Sequence, residues 1–160
     1  MKSCVLILHN IRSTHNVGAI FRTADAADVK KIFLVGYTPT PIDKFGRIRQ
    51  DIAKASLGAE NTIQWEYKTT IMPLIKKLKK EKYKIISIEQ SKTAINYKRV
   101  ASKISKEKNI AIILGNEISG LPKSVLNASD IIAEITMRGV KESLNVSVAT
   151  GIAIFRILEL

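Results

Sequence analysis

A single cysteine, Cys4, stands in 160 residues, so no internal disulfide forms and a reducing compartment is allowed. It lies in an apolar run, where a thiol serves as a small core side chain. Only two histidines, His9 and His15, are present, and with no cysteine partners they make no zinc-binding set. No apolar run reaches the ~18 residues that a bilayer-spanning helix requires. The opening MKSCVLILHN has one lysine and a short apolar stretch, but no small-residue cleavage pattern follows it. These absences lead us to expect a cytoplasmic protein with no membrane role. Acidic residues are also scarce: 14 Asp and Glu stand against 26 Lys and Arg, for a net charge of +12. Such an excess favours a polyanionic partner, nucleic acid first, over a merely soluble basic protein.

Apolar residues make up 46% of the chain, enough for one packed domain at this length. Short apolar runs alternate with helical patterns. The run CVLIL at residues 4–8 predicts a strand buried on both faces, and the polar stretch from His9 to Asn16 predicts a loop. A helix is expected over Gly18 to Ala27 and a strand over Lys31 to Val35. Asp51 to Leu57 predicts a short helix closed by Gly58, and Thr62 to Tyr67 a strand. In Thr69 to Lys80, Ile71, Leu74, Ile75 and Leu78 fall at helical spacing with lysines between them. Strands are expected over Lys84 to Ile88, Ile110 to Leu114 and Ile131 to Ile135. Leu121-Pro122 opens a short helix. From Ser143 to the end only Arg156 and Glu159 are charged, which predicts a C-terminal helix buried on nearly every face. Alternation of this kind implies an α/β fold with a mainly parallel sheet flanked by helices. The lysine-rich stretches 76–84 and 98–108 fit either solvated faces or an RNA-contacting surface.

Common nucleotide and hydrolase motifs fail. Gly115 and Gly120 have P-loop spacing, but Leu121 and Pro122 stand where Lys and Ser/Thr are needed. There is no GxGxxG and no GxSxG. What remains is a polar cluster after each of three strands: Asn10 to Gly18, Leu114 to Leu121, and Ile135 to Asn145. In open parallel sheets, ligands bind beyond the carboxyl ends of strands, so three such loops can converge on one site. Singly, each residue has a plainer reading: Asn16 or Ser143 as a helix cap, the glycines as turns, Glu117 as a surface carboxylate.

Together the clusters resemble the motifs of the SPOUT superfamily of RNA methyltransferases, of the SpoU/TrmH type that methylates ribose 2′-hydroxyls. The first motif reads Asn16-Val17-Gly18-Ala19-Ile20-Phe21-Arg22-Thr23-Ala24-Asp25-Ala26. The second reads Ile113-Leu114-Gly115-Asn116-Glu117 with Gly120. The third reads Ile135-Thr136-Met137-Arg138-Gly139, followed by Ser143-Leu144-Asn145-Val146-Ser147-Val148-Ala149. The resemblance covers nearly the whole chain and implies a single catalytic domain with a C-terminal trefoil knot. The knot would be an exception to the rule against threaded chains. It further implies a homodimer with the active site at the subunit interface, acting on tRNA or rRNA with S-adenosyl-L-methionine as cofactor.

By this likeness, backbone around Leu114, Gly115, Ile135, Met137 and Leu144 holds the cofactor. Arg22, Glu117, Ser143 and Asn145 line the methyl-transfer site, and Asn16 supports Arg22. No metal is implied. The chain departs from the family pattern at Asp28, where glycine is usual, and at Thr136, where proline is common. Asp tolerates the left-handed conformation better than most residues, so the turn at Asp28 is expected to survive. With no separate RNA-binding domain in these residues, the basic surface of the catalytic domain would have to recognise RNA. The other readings are a knotted RNA-binding protein without catalysis and, less favoured, another small α/β nucleotide-binding enzyme.

Overall fold

The run expected at residues 4–8 is the strand Ser3–His9 (β1) in the computed structural model, which describes residues 2–160. Alternation along it sorts the core into two layers. Cys4, Leu6 and Leu8 pack on one face of the sheet, and Val5 and Ile7 on the other. Burial pushes the Cys4 thiol up to about 12, so this cysteine is inert core, as the apolar run predicts.

Six more strands follow: β2 (Lys31–Val35), β3 (Gln64–Lys68), β4 (Tyr83–Ile88), β5 (Ile95–Asn96), β6 (Asn109–Leu114) and β7 (Ile131–Glu134). They form one sheet in the order β3-β2-β1-β6-β4-β7-β5, with every neighbouring pair parallel. The central strands β1 and β6 are buried along nearly their whole length. That explains why they read as unbroken apolar runs rather than alternating ones.

The helices are α1 (Thr14–Ala26), α2 (Gln50–Ser56), α3 (Ala59–Thr62), α4 (Ile71–Lys80), α5 (Val100–Lys103), α6 (Lys123–Ala128) and α7 (Val146–Leu158). Residues of α1, α2, α3, α5 and α7 share the core layer that contains Leu6 and Leu8. The α4 residues Ile71, Leu74, Ile75 and Leu78, with Val125 of α6, close the other layer. No helix among the described residues is long and apolar enough to cross a membrane.

Several boundaries differ from expectation. Helix α1 starts at Thr14, not Gly18, because the Ser13 hydroxyl accepts a hydrogen bond from the Asn16 amide at 3.2 Å and caps it. Asn16 is therefore inside the first turn and buried. Pro122 is the N-cap of α6 and not a residue of its first turn. Thr62 ends α3, a helix the sequence reading did not contain, so β3 begins at Gln64. The basic stretch from Lys98 contains a 3-10 turn and α5, preceded by the two-residue β5. Asp28 takes a φ of +52°, the left-handed turn expected of it, and its carboxylate is 2.7 Å from Lys30 Nζ. Thr136, in place of the usual proline, accepts a hydrogen bond from Asn96 Nδ2 at 3.0 Å.

Gly18 sets the distance between α1 and α2. A Cβ there would lie 2.6 Å from the Ile52 carbonyl oxygen and 2.7 Å from Ala55 Cβ. Alanine gains ~1 kcal/mol over glycine within a helix, but overpacking against backbone costs about 1–3 kcal/mol. Gly18→Ala is therefore expected to lower the urea midpoint of unfolding with its slope unchanged. A midpoint at or above the wild-type value would refute this account of the contact.

Candidate active site

The loops after β4, β6 and β7 enclose a cavity of about 310 Å³ at the carboxyl ends of the strands. Leu114, Gly115, Ile135, Met137 and Leu144, the residues expected around a cofactor, all line it. The β6 loop is shaped by Asn116, a buried side chain that uses both ends of its amide. Its Nδ2 donates to the Asn10 carbonyl at 2.9 Å and to Tyr37 Oη at 2.7 Å, while its Oδ1 accepts from the Ile118 and Ser119 amides at 2.8 and 2.9 Å. Gly120 closes this turn at φ +64°, and a Cβ there would meet Glu89 Oε2 at 2.5 Å. That oxygen instead accepts from the Leu121 amide at 2.8 Å.

Of the residues assigned to methyl transfer, Glu117 and Ser143 line the cavity. Asn16 and Asn145 reach it through hydrogen bonds. Asn145 caps α7, its Oδ1 accepting from the Ser147 amide at 2.9 Å, so the cap expected of Ser143 belongs to Asn145. Its Nδ2 donates to Asn16 Oδ1 at 3.1 Å, and Asn16 Nδ2 donates to Glu117 Oε1 at 3.0 Å. A carboxylate only accepts, and this fixes the orientation of both amides.

Arg22 stands apart. It lies six residues beyond Asn16 on α1, about 9 Å along the axis and on a different face. It is exposed, and lines a separate pocket with His15, Thr23 and Lys54. No carboxylate pairs with it among the described residues. Asn16 thus holds Glu117 and Asn145, not Arg22. Helix α7 is not covered on every side either: Val148 is 50% and Phe155 39% exposed.

Charge distinguishes the cavity from the rest of the surface. Glu89, Glu117, Glu134 and Glu142 line it, and no Lys or Arg does, in a chain of net charge +12. Sequence reasoning missed Glu89, Gln90 and Glu134, as well as the anchoring role of Asn116. The signal for the first two was available, since Glu89-Gln90 follows β4 as the named clusters follow their strands.

The SpoU rRNA Methylase family model matches residues 3–155. The chain belongs to that family. Among its relatives is the 23S rRNA (guanosine-2′-O-)-methyltransferase RlmB of Coxiella burnetii, 31% identical over 153 residues, which are 96% of this chain and 57% of that protein. The chain thus spans little more than half the length of that curated relative. An AdoMet-bound rRNA methyltransferase from Sinorhizobium meliloti superposes with a TM-score of 0.85 at 25% identity, over 98% of this chain and 56% of that one. The A. aeolicus TrmH/SpoU tRNA modifying enzyme gives 0.83 at 25% identity, over 99% and 75%.

Asn145 holds a cap and a tie to Asn16 at once, and two variants separate them. Asn145→Ala is expected to cost about 1–2 kcal/mol, the worth of a cap plus that of a part-buried hydrogen bond. Asn145→Ser keeps a capping oxygen and is expected to recover about half of that. Equal denaturation midpoints for the two variants would show that the cap contributes nothing.

Proposed function

We propose that this chain is an S-adenosylmethionine-dependent RNA 2′-O-methyltransferase acting on tRNA or rRNA in the cytoplasm. The observation that carries the reading is the carboxylate-lined cavity without a basic group. A phosphate-bearing nucleotide would meet repulsion there, whereas a sulfonium cofactor brings positive charge and an apolar body. About 310 Å³ falls within the range of small-molecule sites, and Leu114, Ile135, Met137 and Leu144 supply apolar wall. Family membership and the AdoMet-bound neighbour support the same conclusion.

In this reading the backbone of Leu114, Gly115, Ile135, Met137 and Leu144 holds the cofactor, which supplies an electrophilic methyl group when bound. The chain's task is to position the ribose hydroxyl at the cavity where that methyl group would be offered. Ser143, at the cavity wall, accepts or donates one hydrogen bond to the ribose. Asn145 has a second Nδ2 hydrogen beyond the one given to Asn16. Glu117, through Asn16, orients Asn145. Arg22, whose planar fork offers only donors, grips a phosphate of the RNA through paired hydrogen bonds. The hydroxyl proton passes to that phosphate or to a water.

The placement of Arg22 outside the pocket that Glu117 lines favours a homodimer, in which Arg22 serves the cavity of the neighbouring subunit. The exposed Val148 and Phe155 of α7 supply an apolar face for that contact. The C-terminal segment is proposed to thread a trefoil knot. Gln90, after β4, donates to the Glu142 carbonyl, so the tail runs against an earlier loop, as threading requires. The described residues are proposed to act as one catalytic domain.

Titration calorimetry with S-adenosylmethionine is expected to show one site per chain, and RNA from cells without the protein is expected to accept a ribose methyl. Ser143→Ala should lower turnover about tenfold, the effect of one hydrogen bond of ~1.4 kcal/mol, with cofactor affinity kept. Full turnover by Arg22→Lys would exclude the paired grip. Absence of cofactor binding would turn the reading toward RNA binding without catalysis.

A further inference from the structure

The loop after β2 leaves four large apolar side chains in solvent: Tyr37, Ile42, Phe45 and Ile48. A loose loop would collapse such groups, but this one is built. Ile42 and Ile48 pair as an antiparallel bridge. The Asp43 amide donates to the Arg47 carbonyl at 2.9 Å, and the Arg49 amide to the Pro41 carbonyl at 2.9 Å. Asp43 Oδ1 accepts from the Phe45 and Arg47 amides at 2.8 and 3.0 Å, and its Oδ2 from Arg47 Nε at 2.9 Å. The result is a short hairpin with its one carboxylate turned inward.

The root of the hairpin is tied to the site. The Tyr37 amide donates to Asn10 Oδ1 at 3.2 Å, and Tyr37 Oη accepts from Asn116 Nδ2 at 2.7 Å. Thr38 Oγ1 accepts from the Ile11 amide at 3.0 Å and is buried. Asn116 lines the cavity, so the hairpin is fastened to the cavity wall while its tip stands free. At that tip Phe45 is 69% exposed. Lys44 Nζ and Arg47 Cζ each lie 5.0 Å from its ring centroid.

An exposed ring with a lysine over it suits a protein contact less well, because lysine is depleted at the buried centre of such contacts. It suits a single-stranded nucleic acid, in which bases stack on aromatic rings and phosphates meet the neighbouring cations. We propose that the hairpin at residues 41–49 is a base-stacking contact for the RNA substrate. An unpaired base displaces the Lys44 and Arg47 side chains from the Phe45 ring, and the two cations turn to the flanking phosphates. The proposal rests on the reading of the chain as an RNA methyltransferase and adds to it the surface that selects unpaired RNA.

The test uses the full chain and a short fluorescein-labelled oligouridine. Phe45→Ala is expected to weaken its binding about tenfold, within the ~1–3 kcal/mol of one stacked base, while S-adenosylmethionine affinity by calorimetry stays at the wild-type value. Phe45→Trp is expected to keep oligouridine affinity and to lose tryptophan emission on binding, beyond any change in the wild type, whose only tryptophan is Trp65. Lys44→Gln should flatten the salt dependence of binding. Wild-type affinity in Phe45→Ala, no binding of oligouridine by the wild type, or no quenching in Phe45→Trp would each overturn the proposal. So would a smaller species of Phe45→Ala in sedimentation, since it would make a second copy of the chain the occupant of this surface. Failure of the enzyme reading appears separately, as absence of cofactor binding in the wild type.

Discussion

Three side chains far apart in sequence form one hydrogen-bonded line, and the site depends on it. The Ser147 amide at the start of α7 donates to Asn145, Asn145 donates to Asn16, and Asn16 donates to Glu117. Every donor points the same way, toward the carboxylate. Hydrogen bonds aligned like this polarise one another, and the positive end of the α7 backbone dipole stands at the far end of the line from the negative carboxylate. The line ties the loop after β6, the first turn of α1 and the entrance of α7 into one unit. Asn16 is 8% exposed, so its own amide must find its partners within this line, one bond donated and one accepted.

Most of the fold was legible because its signals are local. Apolar runs announced the strands, lysines interleaved with Ile71, Leu74, Ile75 and Leu78 announced α4, and strand-end polarity announced the loops of the site. What escaped was decided by groups distant in sequence or by competing caps. Ser13 starts α1 one turn early through a single hydroxyl, a choice that periodicity does not record. The two residues of β5 pair with β7 by register alone. Asn116 gathers Asn10, Tyr37 and the turn behind it, and nothing in its neighbours announces that. Arg22 shows the opposite limit: its motif was plain, but its place outside the cavity of its own chain could not be read from a line of residues.

Charge is partitioned as sharply as hydrophobicity. Cations dominate the surface, and carboxylates gather where the cofactor is proposed to sit. Such a separation lets one molecule attract a polyanion over its basic surface while the carboxylates of the cavity repel phosphates.

The central pairing of β1 with β6 carries a consequence for the order of assembly. Ser3 sits beside Asn109, and Leu8 beside Leu114. During synthesis, β1 can take β2 on one edge early, but its other edge stays open until two-thirds of the chain has left the ribosome. A parallel sheet closed over such a separation forms slowly, because chain entropy is lost before the long-range contacts repay it. The apolar edge that becomes the best-buried part of the molecule is therefore also the part that waits longest for its neighbour.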